Sequence, residues 1–332
     1  EGIKLDLAVN TEGFDWDKIS RIVEEETAEE QVPPKEKKQK TEPGILDELK
    51  IEGQVAVKAN YFKYGELTWE PFQAVLNLEN NRVKVRLEQG SLCGIQAEAS
   101  AKVSPEPLNL QAEAEAENKK LGKSLNCFLE NKMMSGDFGL SADMQTRGKS
   151  EKLLDNLQGE FNFQAEDGRI FKFDLLANIL AVVNITEILK GQAPDLRGEG
   201  FGYNSAQASG IIENGVVKLN ETYINGKSID LAFNGKFDIP EQQLDLVVLV
   251  TPLKTVDSII ERIPIVGHIL GKNFLAIPVR VKGELSGPSV TPLSPTVVGK
   301  GLVGILERTL KLPVRVVQPF IPKEGEQKKE KS

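Results

Sequence analysis

The sequence predicts a mainly β protein, built as a long antiparallel meander of strands with a few short helices. Apolar and polar residues alternate with a period of two through most of residues 45–168 and again after residue 210. The composition is 40% hydrophobic but only 6% aromatic, which is normal for a β-rich scaffold. Each alternating segment has one apolar face and one mostly polar face, so we expect a sheet with a dry side and a wet side.

The N-terminal region opens on an alternating strand from Ile3 to Val9, followed by helical spacing from Asp15 to Val23. We interpret residues 1–23 as the end of a preceding β repeat. Residues 24–44 hold two charge blocks, three prolines and almost no apolar residues. Such a segment cannot bury enough surface to offset its ordering entropy, so a disordered linker is predicted, with a docking role as the less favoured alternative.

Residues 45–168 read as consecutive strands of the meander, interrupted by one short helix candidate at Lys149–Leu157. Tight turns are predicted at Asn80–Asn81 and at Asp167–Gly168, because Asn, Asp and Gly tolerate turn conformations. The apolar positions of these strands are Leu76, Leu78, Val83, Val85, Leu108, Leu110, Phe138, Leu140, Met144, Phe161 and Phe163.

Residues 169–292 form the next unit, which begins with an apolar helix predicted from Phe173 to Leu189 and buried against the sheet. The strands then resume. Their apolar positions are Leu231, Phe233, Leu244, Leu246, Val248, Val279 and Val281. A further short helix starts at Thr251–Pro252 and ends at Pro264. Its apolar face carries Val256, Ile260 and Ile263.

Residues 293–322 are predicted to form a basic amphipathic helix with an extension, and residues 323–332 a solvated, disordered tail. The basic side of this helix carries Lys300, Arg308 and Lys311. Its apolar side carries Leu302, Leu306 and Leu310. A basic amphipathic helix in an acidic protein is a candidate for contact with a membrane surface or a partner protein. Packing against the end of the sheet is an equally weighted alternative.

Features typical of enzymes and of nucleic-acid-binding proteins are missing from the sequence. The formal net charge is −8, which argues against nucleic acid as a partner. His268 is the single histidine, in an apolar loop without an identifiable partner, so a structural role is favoured over a catalytic one. Cys93 and Cys127 have no metal-ligand spacing, and a disulfide between them is left open. No enzymatic activity, cofactor or metal is therefore predicted.

The stretch from Thr251 to Pro292 resembles the C-terminal region of the AsmA-like family of bacterial envelope proteins, whose relatives include TamB and YhdP. The resemblance is carried by apolar and turn residues, among them Ile263-Pro264-Ile265, Gly283 and Gly287-Pro288. The hairpins from Gly65 to Val103 and from Thr146 to Ile170 resemble the repeats of the same family.

The resemblance implies a taco-shaped β-groove that conducts phospholipids between the inner and outer membranes. The alternating pattern alone favours a second sheet over an open groove, and the resemblance reverses that preference. The eighteen apolar strand positions given above would line the groove, the Val256 helix would close its end, and the final helix would contact a membrane surface. A periplasmic location is implied, with an inner-membrane anchor outside this chain. The alternative is a scaffold for outer-membrane assembly that acts through envelope protein partners.

Overall fold

A computed structural model gives the fold of the protein for most of the chain. It describes residues 3–19, 21, 51–79, 82–103, 107–129, 134–171, 174–183, 200–252, 268–269, 275–294 and 301–305. The predicted linker at 24–44, the tight turn at Asn80–Asn81, the helix face of Val256, Ile260 and Ile263, and the tail at 323–332 lie outside these residues.

The described residues form one sheet of fifteen strands that follows the order of the chain, as the alternating pattern predicts. The strands are β1 (Ile3–Asp15), β2 (Ile51–Tyr64), β3 (Leu67–Glu79), β4 (Arg82–Leu92), β5 (Ile95–Val103), β6 (Leu108–Lys120), β7 (Met134–Gly148), β8 (Gln158–Ile170), β9 (Phe201–Glu213), β10 (Val216–Gly226), β11 (Ile229–Asp238), β12 (Gln243–Pro252), β13 (His268–Ile269), β14 (Leu275–Glu284) and β15 (Ser289–Pro292). Neighbours pair in sequence from β1 to β12, β12 then pairs with β14, and both β13 and β15 pair with β14.

The first pair of strands departs from the predicted antiparallel meander. β1 and β2 are parallel, in register from Ile3 opposite Ile51 to Asp15 opposite Lys63, whereas every other described pair is antiparallel. Parallel neighbours need a crossover longer than a hairpin turn. The chain between β1 and β2 is long enough for it, so the charged segment at 24–44 belongs to a connection within one sheet.

Irregular register bends the long strands and curls the sheet into an open groove. Shifts occur in β3, β4, β6, β7 and β10. One of them corrects the turn predicted at Asp167–Gly168, because β8 continues through these residues to Ile170. Asp167 has a φ of 46° and lies opposite a register shift in β7. Asp tolerates this left-handed backbone conformation, and here the conformation forms a β-bulge. A bulge bends a strand without ending it, so β8 continues.

In the described part of the chain the helices are few and short. The α-helices are α1 (Leu121–Leu129) and α2 (Asp174–Val182), and residues 16–19 and 301–305 are also helical. The helix predicted at Lys149–Leu157 is reduced to one 3-10 turn, Ser150–Lys152. α2 confirms the apolar helix predicted after β8, and it packs against the sheet. α1 was not predicted, although Leu121, Leu125 and Leu129 have the spacing of one helix face.

A tight packing site beside the β8 bulge depends on glycine. The hydroxyl group of Tyr203 donates a hydrogen bond to the Ser135 carbonyl oxygen at 2.6 Å, and Tyr203 is fully buried. A Cβ atom on Gly168 would overlap both that oxygen and the Tyr203 hydroxyl. Burial raises the pKa of Tyr203 to about 12, with the nearby charge of Asp137 adding to the effect.

We therefore expect Gly168→Ala to lower the free energy of unfolding by about 3 kcal/mol, because overpacking forces side chains and backbone apart. Gly287→Ala is the matched control, since no atom lies within 4 Å of the position that its added methyl group would take and its backbone is not left-handed. Urea unfolding monitored by circular dichroism measures both. Equal free energies for the two variants would contradict the packing described for Tyr203.

Candidate functional site

The apolar positions of the strands join into one continuous surface, which we call the apolar track. Directly paired residues in a sheet point to the same side, so the register can be followed from strand to strand. Leu76 pairs with Val85, and Val85 with Ala101. At the other end of the sheet Phe233 pairs with Val248, and Val248 with Val279. The registers of the intervening pairs place all eighteen predicted positions on this one face.

The first part of the track is open. On β3, β4 and β6 its predicted positions are all half-buried, whereas Ala74 and Leu87 on the same face are buried. The half-buried positions are Leu76, Leu78, Val83, Val85, Leu108 and Leu110. Leu7 and Val9 of β1 continue the same face and are 47% and 41% exposed. The helix α1 contacts β6 and β7 at the border of this part, and α2 packs with the later strands. Apolar surface therefore remains accessible along several neighbouring strands, which is typical of binding sites for apolar partners.

The floor of the open part is formed by small side chains. On β5 and β6, Ala97 pairs with Ala114 and Ala99 with Ala112, and all four are half-buried. The larger side chains of Leu87 and Met144 lie on the flanking strands at the same level, paired with Ala99 and Ala112 respectively. Alanine methyl groups between bulkier neighbours leave a depression in the apolar surface.

The last part of the track is closed by α2. Leu176, Ile179 and Leu180 of this helix are buried in one cluster with side chains of β7 to β14. Seven of the predicted lining residues are buried in it, namely Phe138, Leu231, Leu244, Leu246, Val248, Val279 and Val281. These seven contact protein in the closed core, which corrects the prediction that they line an open groove.

The remaining predicted positions lie between the open and closed parts. Leu140, Phe163 and Phe233 are partly buried and pack against the closed core, and Met144 and Phe161 are half-buried. The track thus passes from accessible surface to protein core, and Thr146 and Thr222 also lie on this face.

Comparison with known proteins assigns this architecture to a family. The family model described as YhdP protein matches residues 91–290, more than half of the chain. The chain belongs to the YhdP family. A search of curated proteins and a search of solved structures each found no match. The YhdP family is a family of the bacterial envelope and is not a known enzyme family, and the match confirms the resemblance inferred from the sequence.

A disulfide links α1 to the turn between β4 and β5, within the region that matches the YhdP family. Cys93, in the turn between β4 and β5, is bonded to Cys127 of α1, with Cα atoms 5.6 Å apart. Leu121 and Ser124 of α1 are buried, and Leu121 packs in the same cluster as Phe138. The bond therefore ties α1 to the end of the strands at the border between the open and closed parts. The sequence left this pairing undecided.

An aromatic cluster at the end of β1 to β3 was missed by the sequence analysis. The rings of Phe14, Phe62 and Phe72 pack with centroids 4.7–5.8 Å apart. The three residues are far apart in sequence, and only the parallel pairing of β1 with β2 brings Phe14 opposite Phe62. The cluster stabilises the edge of the sheet next to the open part of the track.

The opposite face of the sheet, which we call the outer face, carries most of the charge. Asp245 and Arg280 form a bidentate ion pair there, with both hydrogen bonds at 3.0 Å, and the hydrogen bond from Arg280 lowers the pKa of Asp245. Acidic side chains such as Glu98 and Glu113 also face this side. In the described parts of the chain, no group of three His, Cys, Asp or Glu side chains could hold a metal ion.

The C-terminal helical residues 301–305 cover part of the outer face. Leu302 and Ile305 are 4% and 6% exposed and pack against Ala232, Leu249 and Ala276. Leu302 thus contacts the sheet, which favours the packing alternative for this residue over membrane contact. The other predicted contact residues, Lys300, Leu306, Arg308, Leu310 and Lys311, lie outside the described residues, as does most of the loop around His268. Within the described range, every helix is too short or too polar to cross a membrane.

Removal of the disulfide tests its role in holding α1. We expect Cys93→Ser combined with Cys127→Ser to lower the free energy of unfolding by about 4 kcal/mol, because the bond closes a loop of 34 residues. Hydrogen exchange should also show loss of protection in α1. Reduced wild-type protein is the control and should match the variant. Equal unfolding free energies for oxidised and reduced protein would contradict the stabilising role.

Proposed function

We propose that this YhdP-family protein carries phospholipid acyl chains along the apolar track, between the inner and outer membranes, without enzymatic activity. The observation that carries the proposal is the extent of one apolar face across the sheet, whose predicted positions on β3, β4 and β6 are only half-buried. A soluble protein rarely exposes so extended an apolar surface without a partner for it.

The energetics of lipid transfer favour such a surface. Burial of one methylene group contributes about 0.8 kcal/mol, so two acyl chains exposed to water cost on the order of 20 kcal/mol. A continuous apolar surface removes most of that cost at every position along the path. The half-buried side chains of the open part would supply it.

The distribution of charge agrees with a surface that binds lipid acyl chains and makes no specific contact with lipid headgroups. The predicted track positions are all apolar, while the ion pair of Asp245 with Arg280 lies on the outer face. A headgroup would remain in solvent beside the track while its acyl chains lie on the alanine floor.

The disulfide supports a periplasmic location for this function. Structural disulfides persist in oxidising compartments, which include the bacterial periplasm, and are rare in the cytosol. The bond between Cys93 and Cys127 would form there and hold α1 beside the track.

A second candidate function is a scaffold that binds an envelope protein by strand addition. It is favoured by β1, which lies at the edge of the described sheet, is thirteen residues long and exposes Leu7 and Val9. Long apolar edge strands pair readily with other chains. A scaffold of this kind needs no bound lipid, so the assay below separates the two functions.

We predict that Leu76→Glu lowers the amount of phospholipid that copurifies with the protein severalfold, because it places a charge on the open part of the track. Asn77→Glu is the matched control on the outer face, one residue away, and should keep the wild-type amount. Mass spectrometry of lipid extracted from the purified chain measures both. Lipid-free wild-type protein, or equal loading of the two variants, would overturn the transport function.

A leucine-to-glutamate substitution in the closed part of the track should affect folding, whereas Leu76→Glu should affect lipid binding. Leu246 is 6% exposed within the core closed by α2. Leu246→Glu is therefore expected to unfold the C-terminal half of the sheet, since it buries an unpaired charge. Near-ultraviolet circular dichroism measures the loss of tertiary packing. A folded Leu246→Glu variant with normal spectra would show that α2 does not seal this part.

A further inference from the structure

Large apolar side chains that are exposed to solvent concentrate at one corner of the sheet. Nine such side chains are exposed in the described part of the chain, and six of them belong to β1, β2 or the helical residues 16–19. Four of the six lie towards the ends of β1 and β2, and we call them the aromatic corner. They are Trp16, Ile19, Tyr61 and Tyr64, each between 38% and 58% exposed. Single exposed apolar residues are normal on a protein surface, whereas a group of them indicates a contact surface.

The parallel pairing of β1 with β2 brings the members of the corner together. The register ends with Asp15 opposite Lys63, so the residues that follow, Trp16 and Tyr64, lie beside each other. The two residues are far apart in sequence, and only the fold makes them neighbours.

Hydrogen bonds fix the backbone of the helical residues 16–19. The carboxylate of Asp15 accepts hydrogen bonds from the backbone N–H groups of Asp17 at 3.1 Å and Lys18 at 3.3 Å, as a helix cap does. The carboxylate of Asp17 accepts a hydrogen bond at 3.0 Å from the backbone N–H of Gly65, in the turn between β2 and β3. An ordered backbone therefore holds the apolar side chains of this helical turn in solvent.

The residue types at the corner match the interfacial zone of a lipid bilayer. Trp and Tyr combine an apolar ring with a polar group, and both are enriched where hydrocarbon meets lipid headgroups. The chain has two tryptophans, Trp16 and Trp69, and both lie at this end of the sheet, since Trp69 pairs with Phe62 near the end of β2. A chain with few aromatic residues thus places its interfacial types together.

The charge of the helical turn also suits a surface of phosphate groups. Lys18 and Arg21 are exposed, and Lys18 is 74% accessible although it lies 3.7 Å from Asp15, because exposed ion pairs are weak. The carboxylates of Asp15 and Asp17 are engaged with backbone N–H groups. The neighbouring turn adds one exposed acid, Glu66. Basic side chains beside exposed aromatic rings are typical of segments that bind a bilayer surface.

The corner adjoins the apolar track. Phe72 and Leu76 lie on the same face of β3, because two and four residues separate them from Ala74 and from each other. The rings of Phe14 and Phe62 pack against Phe72. Apolar surface thus runs from the open part of the track to the ends of β1 and β2, where the aromatic corner lies. Acyl chains that pass between a bilayer and the track would meet apolar side chains along this route.

We propose that the aromatic corner is a membrane-contact site, which places Trp16, Ile19 and Tyr64 in the interfacial zone of a phospholipid bilayer. The inference deepens the proposed function, on which it rests, by naming the surface at which acyl chains enter or leave the track. It assigns membrane contact to β1 and β2, whereas the sequence pattern indicated the C-terminal helix, of which Leu302 packs on the sheet.

Tryptophan fluorescence of the full chain tests the contact, because Trp69→Phe leaves Trp16 as the single tryptophan. Vesicles of phosphatidylethanolamine and phosphatidylglycerol should shift its emission to shorter wavelength, and brominated acyl chains in these vesicles should quench it. Flotation with the same vesicles measures the bound fraction. Trp16→Ser combined with Tyr64→Ser should lower that fraction severalfold, since the two side chains supply most of the apolar surface of the contact.

Two further variants serve as controls. Leu154→Ser is the matched one, because Leu154 is 56% exposed but lies at the opposite ends of the strands, between β7 and β8. It should bind vesicles as the wild type does. Leu76→Glu, which is expected to lose carried lipid, should also keep vesicle binding, so the contact and lipid carriage are measured separately.

Two results would overturn the contact. One is emission from Trp16 that vesicles leave unchanged, as expected if the corner binds a protein partner instead, and this result decides even if the double variant fails to fold. The other is equal flotation of the wild type and a folded double variant. Wild-type protein that carries phospholipid but does not float would remove the contact and leave the proposed function standing. Lipid-free protein that still floats through Trp16 would do the reverse.

Discussion

The structure depends on one constraint, namely that a single sheet with one apolar face must shield that face from water. A second layer usually does so. Here α2 supplies a second layer only over the later strands, where Val248 and Val279 are fully buried. The earlier strands keep the same apolar face half-exposed. The boundary between covered and uncovered surface therefore separates the stable core from the candidate binding surface.

Local devices then shape the uncovered surface. Register shifts bend the strands, and Gly168 lets Tyr203 lie against the β8 bulge. The disulfide of Cys93 with Cys127 anchors α1 where the open part ends. The alanines of β5 and β6 lower the floor of the track. Each of these features leaves the apolar character of the face intact, so the shape of the face and its apolar composition are set by different residues.

The outer face differs from the apolar track in its exposure to water. It is polar along most of the sheet, so it needs no cover in water. Where residues 301–305 pack on it, its residues change to Ala232, Leu249 and Ala276. Asp230 lies on the same face of β11 and is fully buried, and its Oδ2 has no hydrogen-bond partner.

The sequence by itself determined which residues share a face. Alternation with a period of two is a local property of extended chain, so all eighteen predicted track positions lie on one side, and the curled, mainly β fold was predicted correctly from the pattern and the family resemblance. Only the tertiary structure decided which of them are sealed, because that depends on where α2 packs. The parallel pairing of β1 with β2, the bond between Cys93 and Cys127 and the burial of Asp230 were likewise beyond the sequence. Each arises from contacts between segments distant along the chain, and alternation carries no information about how far apart in sequence two neighbours in space will be.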